Sequence, residues 1–367
     1  MADGSPRPAS QVYTWEPSNA AIAARYGLRP EDVLRFDTNT SPLPPPFVAD
    51  VLAETFEPPL NEYPDSSYEA LTAAAAAYTG AEPNEVIVGA GADEVLDLVA
   101  KAYLAAGSSA LVPIPTYAMY GVLTTQRAAR IVSVPRLGPE DRWSLNVERV
   151  VAELPNVSVA WLCAPNNPTG APEPEEKIST VLDASAKLAR PPLMVVDEAY
   201  FEFTNTTVVP WRHRYSNLLA VRTVSKAFAL AGARVGFAVG ARSVIERLER
   251  VRPPGSISTT SAHLATRALM DPAYALQNVR MLSEERDWLA AQLTALGWPS
   301  TPSVTNFLLV RVGDNAAAEQ AADGLLQAGI VPRTFGPANP LRGHLRLTVR
   351  TRDDNEHLVD AARALAS

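Results

Sequence analysis

The sequence predicts an α/β fold in which a mostly parallel sheet is flanked by helices and followed by a smaller α/β domain. Apolar segments such as 157–165 and 193–200 lack the alternation of a half-exposed strand, which is typical of strands buried on both faces. Segments with helical patterns separate them, as parallel strands require. The chain has 367 residues, which favours two domains, and its pattern changes after "RPPG" at 252–255.

The first 45 residues are predicted to be an N-terminal arm and an extended segment. Residues 1–12 are polar and rich in Pro and Ser. The segment "SPLPPPFV" (41–48) is predicted to be extended, because proline removes an amide donor and fixes φ. We expect this segment to lie over the body of the protein.

A large domain is predicted from residue 46 to 255. A helix over 66–80 ends at Gly80, and the segment 85–107 reads as a strand, a glycine turn and a helix. The segment "NNPTG" precedes a helix that extends to about residue 189. Further strands are predicted at 109–115, 129–135, 157–165, 193–200, 218–225 and 233–240.

A smaller domain is predicted from residue 256 to 367. Its first part, 258–297, reads as one long helical stretch. Strands and helices then alternate, as in a second α/β unit. The strands are predicted at 305–312, 329–335 and 344–351, and the helices at 315–328 and from about 353.

Composition and charge exclude several classes of function. The net charge of −8 argues against a nucleic-acid or membrane-surface partner, since both favour a basic face. Cys163 is the single cysteine, so an intrachain disulfide and a cysteine-rich metal site are excluded, and we predict no metal. The sequence shows neither a signal-peptide pattern nor an apolar stretch of membrane-spanning length, which predicts a cytoplasmic protein.

Polar side chains follow five of the predicted strands. In open α/β sheets, ligands bind beyond the carboxyl ends of the strands, so these residues predict a site there. Each has a structural explanation when it is taken alone: a strand-end Asp often caps a helix, Asn-Pro often forms a turn, and a half-buried Lys often reaches to solvent. The set favours a site, and its members are Asp93, Tyr117, Asn167, Asp197, Tyr200, Ser225 and Lys226.

The chemistry of this set points to an aldehyde cofactor. Lys226 lies between an apolar strand and a run of small residues, and a lysine amine can form a Schiff base with an aldehyde. Pyridoxal phosphate is the common aldehyde cofactor, and it requires an acid beside its pyridine nitrogen, which Asp197 can supply. The other candidates are Asn167 and Tyr200 for the phenolate oxygen, Tyr117 for stacking on the ring, and Ala92, Asp93, Ser225 and Arg234 for the phosphate.

Three segments, "APNNPTG" (164–170), "VVDEAYFEF" (195–203) and "SKAFALAGARVGF" (225–237), resemble those of the fold-type I pyridoxal-phosphate-dependent aminotransferases in order and spacing. The histidinol-phosphate aminotransferase family is the most similar, because "NEYPDSSYEAL" (61–71), the segment from residue 89 to 107 and "PTYAMY" (115–120) also resemble it. The resemblance extends from about residue 30 to the end of the chain.

The resemblance implies a fold-type I transferase with a mostly parallel seven-stranded sheet and a smaller C-terminal α/β domain. The implied reaction is transamination between histidinol phosphate and 2-oxoglutarate in histidine biosynthesis, in a ping-pong cycle through pyridoxamine phosphate. The implied partners are an anionic amino donor and a 2-oxo acid, and the implied assembly is a homodimer with shared active sites.

The resemblance also implies a role for each candidate residue. Lys226, Asp197 and Tyr200 would be catalytic, with the Schiff base on Lys226. Tyr63 would contact the cofactor phosphate of the neighbouring subunit. The cofactor would be held by Ala92, Asp93, Tyr117, Asn167, Asp197, Tyr200, Ser225, Lys226 and Arg234, and the substrate by Asn39, Asn167, Arg333 and Arg346.

Three positions depart from the family pattern and leave the substrate open. In "TNTSPLPPP", Thr40 and Ser41 replace a Glu and a second Asn, and Arg350 stands where glycine is common. Tyr13 is a further substrate candidate, on a looser resemblance. A threonine-phosphate decarboxylase-like lyase and an aromatic or other amino-acid aminotransferase are the enzymatic alternatives. A pyridoxal-phosphate-binding regulator is disfavoured, since such proteins usually carry a DNA-binding domain and the resemblance already begins near residue 30.

Overall fold

The structure is a computed structural model that describes residues 17–366. Eleven β-strands and twelve α-helices alternate along this part of the chain. The strands are β1 (Leu34–Arg35), β2 (Val86–Gly89), β3 (Ser109–Ile114), β4 (Arg130–Pro135), β5 (Val159–Cys163), β6 (Leu193–Asp197), β7 (Leu218–Thr223), β8 (Gly236–Gly240), β9 (Phe307–Arg311), β10 (Ile330–Val331) and β11 (His344–Thr348). The helices are α1 (Asn19–Tyr26), α2 (Val48–Ala53), α3 (Glu69–Thr79), α4 (Gly91–Tyr103), α5 (Met119–Gln126), α6 (Val147–Glu153), α7 (Glu175–Ala186), α8 (Arg242–Glu249), α9 (Thr259–Met270), α10 (Ala273–Ala295), α11 (Asn315–Gln327) and α12 (Arg352–Ala366).

The central sheet has seven strands in the order β2-β8-β7-β6-β5-β3-β4. Every neighbouring pair is parallel except those that involve β8, which runs antiparallel to β2 and β7. This confirms the predicted mostly parallel seven-stranded sheet. Because β8 runs the opposite way, the turn before it, which holds Arg234, lies at the same edge as the carboxyl ends of the parallel strands.

Helices cover both faces of the sheet, as the uninterrupted apolar strands predict. On one face, Leu96 of α4, Tyr120 of α5 and Ile245 of α8 pack against the sheet in a buried cluster. On the other face, α2, α3, α6, α7 and α9 contribute to a second and larger cluster. The sheet is thus enclosed, and its edge at the strand ends is left for a site.

A smaller unit contains the antiparallel pair β9–β11 and the helices α10, α11 and α12, which surround a third core. Residues 34–36 pack on this unit: β1 pairs with β10 in parallel, and Phe36 is fully buried in the third core. The described part of the predicted arm is therefore attached to the smaller unit.

The helical stretch predicted over 258–297 is two helices, α9 and α10, separated at Asp271-Pro272. A residue before proline is disfavoured in the helical conformation, which explains the break. Leu264 and Leu269 of α9 lie in the core of the large unit. Ala275 of α10 lies in the same core, so we propose that the domain boundary lies within the first turns of α10 rather than at residue 255. No helix within 17–366 is long and apolar enough to span a bilayer.

A buried ion pair supports the chain directly after β6. Arg222 Nε donates to Glu198 Oε2 at 2.8 Å, and both side chains are at most 3% exposed. The second oxygen of Glu198 accepts from the amide of Val208 at 2.6 Å, and the Arg222 guanidinium lies 3.4 Å from the centre of the Phe201 ring. This cluster fixes the loop that follows Asp197.

We expect Arg222→Met to lower the free energy of unfolding by about 3–5 kcal/mol, because it leaves the Glu198 carboxylate buried without its cation. Urea unfolding monitored by circular dichroism measures the loss, and Arg222→Met combined with Glu198→Gln should regain part of it. The matched control is Arg242→Met, which removes an exposed Arg242–Glu246 pair and should leave the midpoint unchanged. Equal effects of the two single substitutions would contradict the assigned role.

Candidate active site

A cavity of about 240 Å³ opens at the carboxyl edge of the sheet. The structure brings together here the predicted cofactor residues of one chain, with Tyr63 as the exception. Tyr63 lies elsewhere on the surface and is 93% exposed. The residues that line the cavity include Ala92, Asp93, Tyr117, Asn167, Asp197, Tyr200, Ser225, Lys226 and Arg234.

Lys226 follows β7 and directs its amine into this cavity. Its neighbour Ala227 is fully buried. Lys226 Nζ donates to the main-chain oxygen of Asn39 at 3.1 Å and lies 3.5 Å from that of Thr38. Burial, and then the positive charge of Arg346, lower the pKa of the Lys226 amine to about 8. The amine is therefore about half neutral near pH 8, where an ordinary lysine is almost fully protonated.

Asp197 ends β6 and is buried. Its carboxylate accepts from the hydroxyl of Tyr120 at 2.7 Å and from the amide of Ala199 at 3.0 Å. Burial raises the pKa of Asp197 to about 6, and the hydrogen bond from Tyr120 opposes that rise. The side chain is thus a carboxylate at pH 7, held in one orientation by two donors.

Tyr120 is a site residue that the sequence analysis missed. It is fully buried, and its ring stacks on Trp161 with ring centres 5.5 Å apart. The sequence signal for Tyr120 was its position three residues after Tyr117. This spacing corresponds to about one helical turn. In the structure the centres of the two rings are 5.6 Å apart. Only Tyr117 was assigned from the sequence.

The start of α4 and Arg234 form a cradle for an anion. Arg234 Nη2 donates to Asp93 Oδ2 at 3.1 Å, and the Tyr117 hydroxyl donates to Asp93 Oδ1 at 2.9 Å. A Cβ atom on Gly91, whose φ is +83°, would lie 2.5 Å from Arg234 Nη2. A Cβ atom on Gly236 would lie 2.3 Å from the amide nitrogen of Ala92. Both positions must therefore be glycine for the guanidinium and the helix amides to converge.

This donor set fits pyridoxal phosphate. The glycine-lined cradle at Arg234 suits a phosphate, and the Asp197 carboxylate suits a protonated ring nitrogen. The Tyr200 hydroxyl and the Asn167 amide suit a phenolate oxygen, and the Lys226 amine suits an aldehyde.

A larger cavity of about 810 Å³ adjoins the first and shares four residues with it: Thr38, Tyr117, Asn167 and Lys226. The predicted substrate residues Asn39, Asn167, Arg333 and Arg346 all line it. Arg346 Nη1 donates to Asn167 Oδ1 at 2.7 Å, and Arg346 Nη2 donates to the main-chain oxygen of Asp37. The guanidinium therefore lines the larger cavity and contacts Asn167, which lines both.

Arg333 and Arg346 face each other across an antiparallel bridge. The amide of each donates to the carbonyl oxygen of the other, at 3.0 and 2.9 Å. Residues paired in this way point to the same face, so both guanidinium groups are directed to the larger cavity. Two guanidinium groups on the same face favour the binding of an anion between them.

Asn39 is held by residues that no local pattern indicated. It is 2% exposed and has a φ of +53°. Its amide donates to Thr348 Oγ1 at 2.9 Å, its carbonyl accepts from Asn306 Nδ2 at 3.1 Å, and its side chain donates to the Tyr200 hydroxyl at 3.0 Å. These contacts place the smaller unit against Lys226.

The three positions that depart from the family pattern have distinct contacts. Thr40 Oγ1 lies 2.9 Å from Thr38 Oγ1, and Ser41 Oγ donates to Asn278 Oδ1 at 3.1 Å. Arg350 Nε donates to Asp354 Oδ2 at 2.9 Å, away from both cavities. Tyr13 lies outside the described residues.

Comparison with known proteins gives a family and a fold. The model of the family "Aminotransferase class I and II" matches residues 31–361. A histidinol-phosphate aminotransferase of Ruminiclostridium cellulolyticum is 33% identical over 90% of this chain and 92% of its own. One of Roseiflexus castenholzii is 34% identical over 94% of this chain and 93% of its own.

Among solved structures, a histidinol-phosphate aminotransferase from Sinorhizobium meliloti in complex with pyridoxal 5'-phosphate superposes with a TM-score of 0.88. It is 24% identical, and the match covers 100% of this chain and 98% of that one. The fold predicted from the sequence is confirmed.

We expect the Lys226 amine to titrate near pH 8 in protein freed of cofactor, because it is desolvated and lies near Arg346. The chain has four lysines, so carbon-13 labelling at lysine Cε gives few NMR signals to follow against pH. Lys226→Met identifies the signal by its loss. A midpoint near 10.4, the ordinary lysine value, would contradict the desolvated site.

Proposed function

The chain belongs to the class I and II aminotransferases, and we propose that it is a pyridoxal-phosphate-dependent histidinol-phosphate aminotransferase, which acts in histidine biosynthesis. The observation that carries the proposal is the pair of adjoining cavities. One holds a lysine amine, a buried carboxylate and an anion cradle, and the other holds two arginines. The names of the relatives support the substrate, and the two arginines suit its phosphate group.

The residues of the smaller cavity would hold the cofactor. The cradle at Ala92, Asp93, Ser225 and Arg234 would bind its phosphate, and Tyr117 would cover one face of its ring. Bound there, pyridoxal phosphate supplies an electron-withdrawing pyridinium ring that stabilises negative charge next to the nitrogen of the substrate. Asp197, ionised above about pH 6, would keep the ring nitrogen protonated.

Lys226 would move the proton of the reaction. Its Nζ atom, neutral above about pH 8, can accept a proton from the amine-bearing carbon of the donor and release it again. Tyr200 is buried beside it, with Lys226 Nζ 5.9 Å from the centre of the ring. Asn39 and Phe307 hold Tyr200 in place and help to exclude water.

Arg333 and Arg346 would bind the anionic group of the substrate. A guanidinium can form two parallel hydrogen bonds to either a phosphate or a carboxylate, so the pair can serve the amino donor and the 2-oxo acid in turn. The cross-strand pairing of the two arginines favours a doubly charged group, which supports histidinol phosphate over an aromatic amino acid.

A substrate panel tests the proposal. We expect histidinol phosphate to convert the bound cofactor, followed by its absorbance, faster than glutamate, phenylalanine or threonine phosphate. Release of carbon dioxide from threonine phosphate would favour the lyase instead, and a faster reaction with phenylalanine would favour an aromatic aminotransferase.

Within this panel, Arg333→Ala should lower kcat/KM for histidinol phosphate about ten-fold or more, because a charge-assisted hydrogen bond contributes roughly 1.5–3 kcal/mol. The reaction with glutamate should lose much less, because a singly charged carboxylate can be bound by Arg346 alone, whereas the doubly charged phosphate uses both arginines. The control is Arg342→Ala, an exposed arginine of the same region that lines neither cavity. Equal losses for both substrates would show that Arg333 has only a general structural role.

We also propose that the protein is a homodimer in which Tyr63 enters the site of the partner subunit. Tyr63 is 93% exposed, and Leu43, Leu52 and Leu60 are each more than half exposed. Large apolar side chains at the surface support an interface. The sequence predicts a cytoplasmic location, which stays a prediction.

Mixed dimers test the shared site. Lys226→Ala and Tyr63→Ala proteins, each impaired alone, should regain roughly a quarter of wild-type activity when they are unfolded and refolded together, because random pairing makes half of the dimers mixed with one intact site each. The control mixes Lys226→Ala with Asp197→Ala, two residues of one cavity, and should regain nothing. Activity that stays at the average of the two parents would reject the shared site.

A further inference from the structure

The loop that carries Lys226 is held by a side chain near the start of α10. Asn278, on the second turn of α10, donates from Nδ2 to the carbonyl oxygen of Ala227 at 2.8 Å. Ala227 is fully buried and Asn278 is 3% exposed. A buried main-chain carbonyl requires a donor, and Asn278 supplies it directly after the lysine.

The same side-chain amide contacts the segment that faces Lys226. Ser41 Oγ donates to Asn278 Oδ1 at 3.1 Å. Ser41 lies two residues after Asn39, whose carbonyl oxygen accepts from Lys226 Nζ. With its oxygen facing Ser41 and its nitrogen facing Ala227, the amide has one orientation that satisfies both contacts.

We propose that Asn278, oriented by Ser41, is a positioning residue that sets the Lys226 amine relative to the segment 38–41. The proposal rests on the function proposed above, in which Lys226 carries the cofactor. The lysine side chain is long and flexible, so its amine is placed only if both its main chain and its acceptor are fixed. Asn278 contacts the main chain next to Lys226. Through Ser41 it also contacts the segment 38–41, which provides the acceptor of the amine.

A merely structural role for Asn278 makes a different prediction, and the chain offers a matched control. Tyr274 lies one turn before Asn278 on α10, and its hydroxyl donates to the carbonyl oxygen of Leu43 at 3.1 Å. It thus ties the same helix to the same stretch of chain through a hydrogen bond that does not involve the loop of Lys226. Tyr274→Phe should therefore affect attachment of the segment and leave the lysine unchanged.

The experiment compares Asn278→Leu, Ser41→Ala, Ser41→Thr and Tyr274→Phe with the wild type. It measures the NMR titration midpoint of Lys226 without cofactor, the rate at which pyridoxal phosphate and cyanoborohydride label Lys226, and the urea midpoint. Asn278→Leu should slow labelling about ten-fold and raise the Lys226 midpoint from about 8 toward 10.4, because the amine becomes better hydrated. Ser41→Ala should also slow labelling and raise the Lys226 midpoint, but by smaller amounts. Ser41→Thr, which keeps the hydroxyl, and Tyr274→Phe should match the wild type in labelling rate and in the Lys226 midpoint.

The positioning role is overturned if Asn278→Leu and Ser41→Ala keep the wild-type titration midpoint and labelling rate, whatever their urea midpoints. It is also overturned if Tyr274→Phe shifts Lys226 as much as they do. If Asn278→Leu does not fold, Ser41→Ala with Ser41→Thr decides the question. Wild-type labelling at another lysine would refute the proposed function and this role with it, whereas normal labelling with unaffected variants refutes the positioning role alone.

Discussion

The desolvated amine of Lys226 is the feature on which the rest of the site depends. A lysine in water is protonated at neutral pH and cannot attack an aldehyde, so the fold must make its neutral form accessible. It does so by enclosing the amine between β7, the ring of Tyr200 and the main chain of residues 38–39, with Arg346 nearby. Asp197 must instead stay charged although it is buried. Hydrogen bonds from the Tyr120 hydroxyl and the Ala199 amide stabilise its ionised carboxylate.

The topology of the sheet explains why these groups meet. Parallel strands β5, β6 and β7 bring Asn167, Asp197 and Lys226 to one edge, and the reversed strand β8 returns Arg234 to the same edge. The smaller unit completes the site from the other side. Through Asn39 and Arg346 it reaches the residues at the strand ends, so the position of the smaller unit and the environment of the lysine are coupled.

The sheet and the candidate cofactor residues could be predicted from the sequence because strand ends carry local patterns: an acid after an apolar run, a glycine turn, a lysine before small residues. No local pattern indicated Asn278, Asn306 or Thr348, because each acts through a contact with a residue distant in sequence. The assignment of α9 to the large unit could not be predicted for a related reason. Its amphipathic pattern shows that one face is buried, but not which of two cores buries it. Short helices such as α2 and α6, of six and seven residues, are too brief for periodicity to indicate.

The central claim, that Lys226 is the lysine that carries the cofactor, is tested most directly by covalent labelling. The wild-type protein is incubated with pyridoxal phosphate and cyanoborohydride, digested, and mapped by mass spectrometry, with Lys226→Met as the control. The account predicts one label per chain on the peptide that contains Lys226, and none on that region in the control. A label that maps to Lys101, Lys177 or Lys187 in the wild type, or a protein that takes up no cofactor, would contradict it.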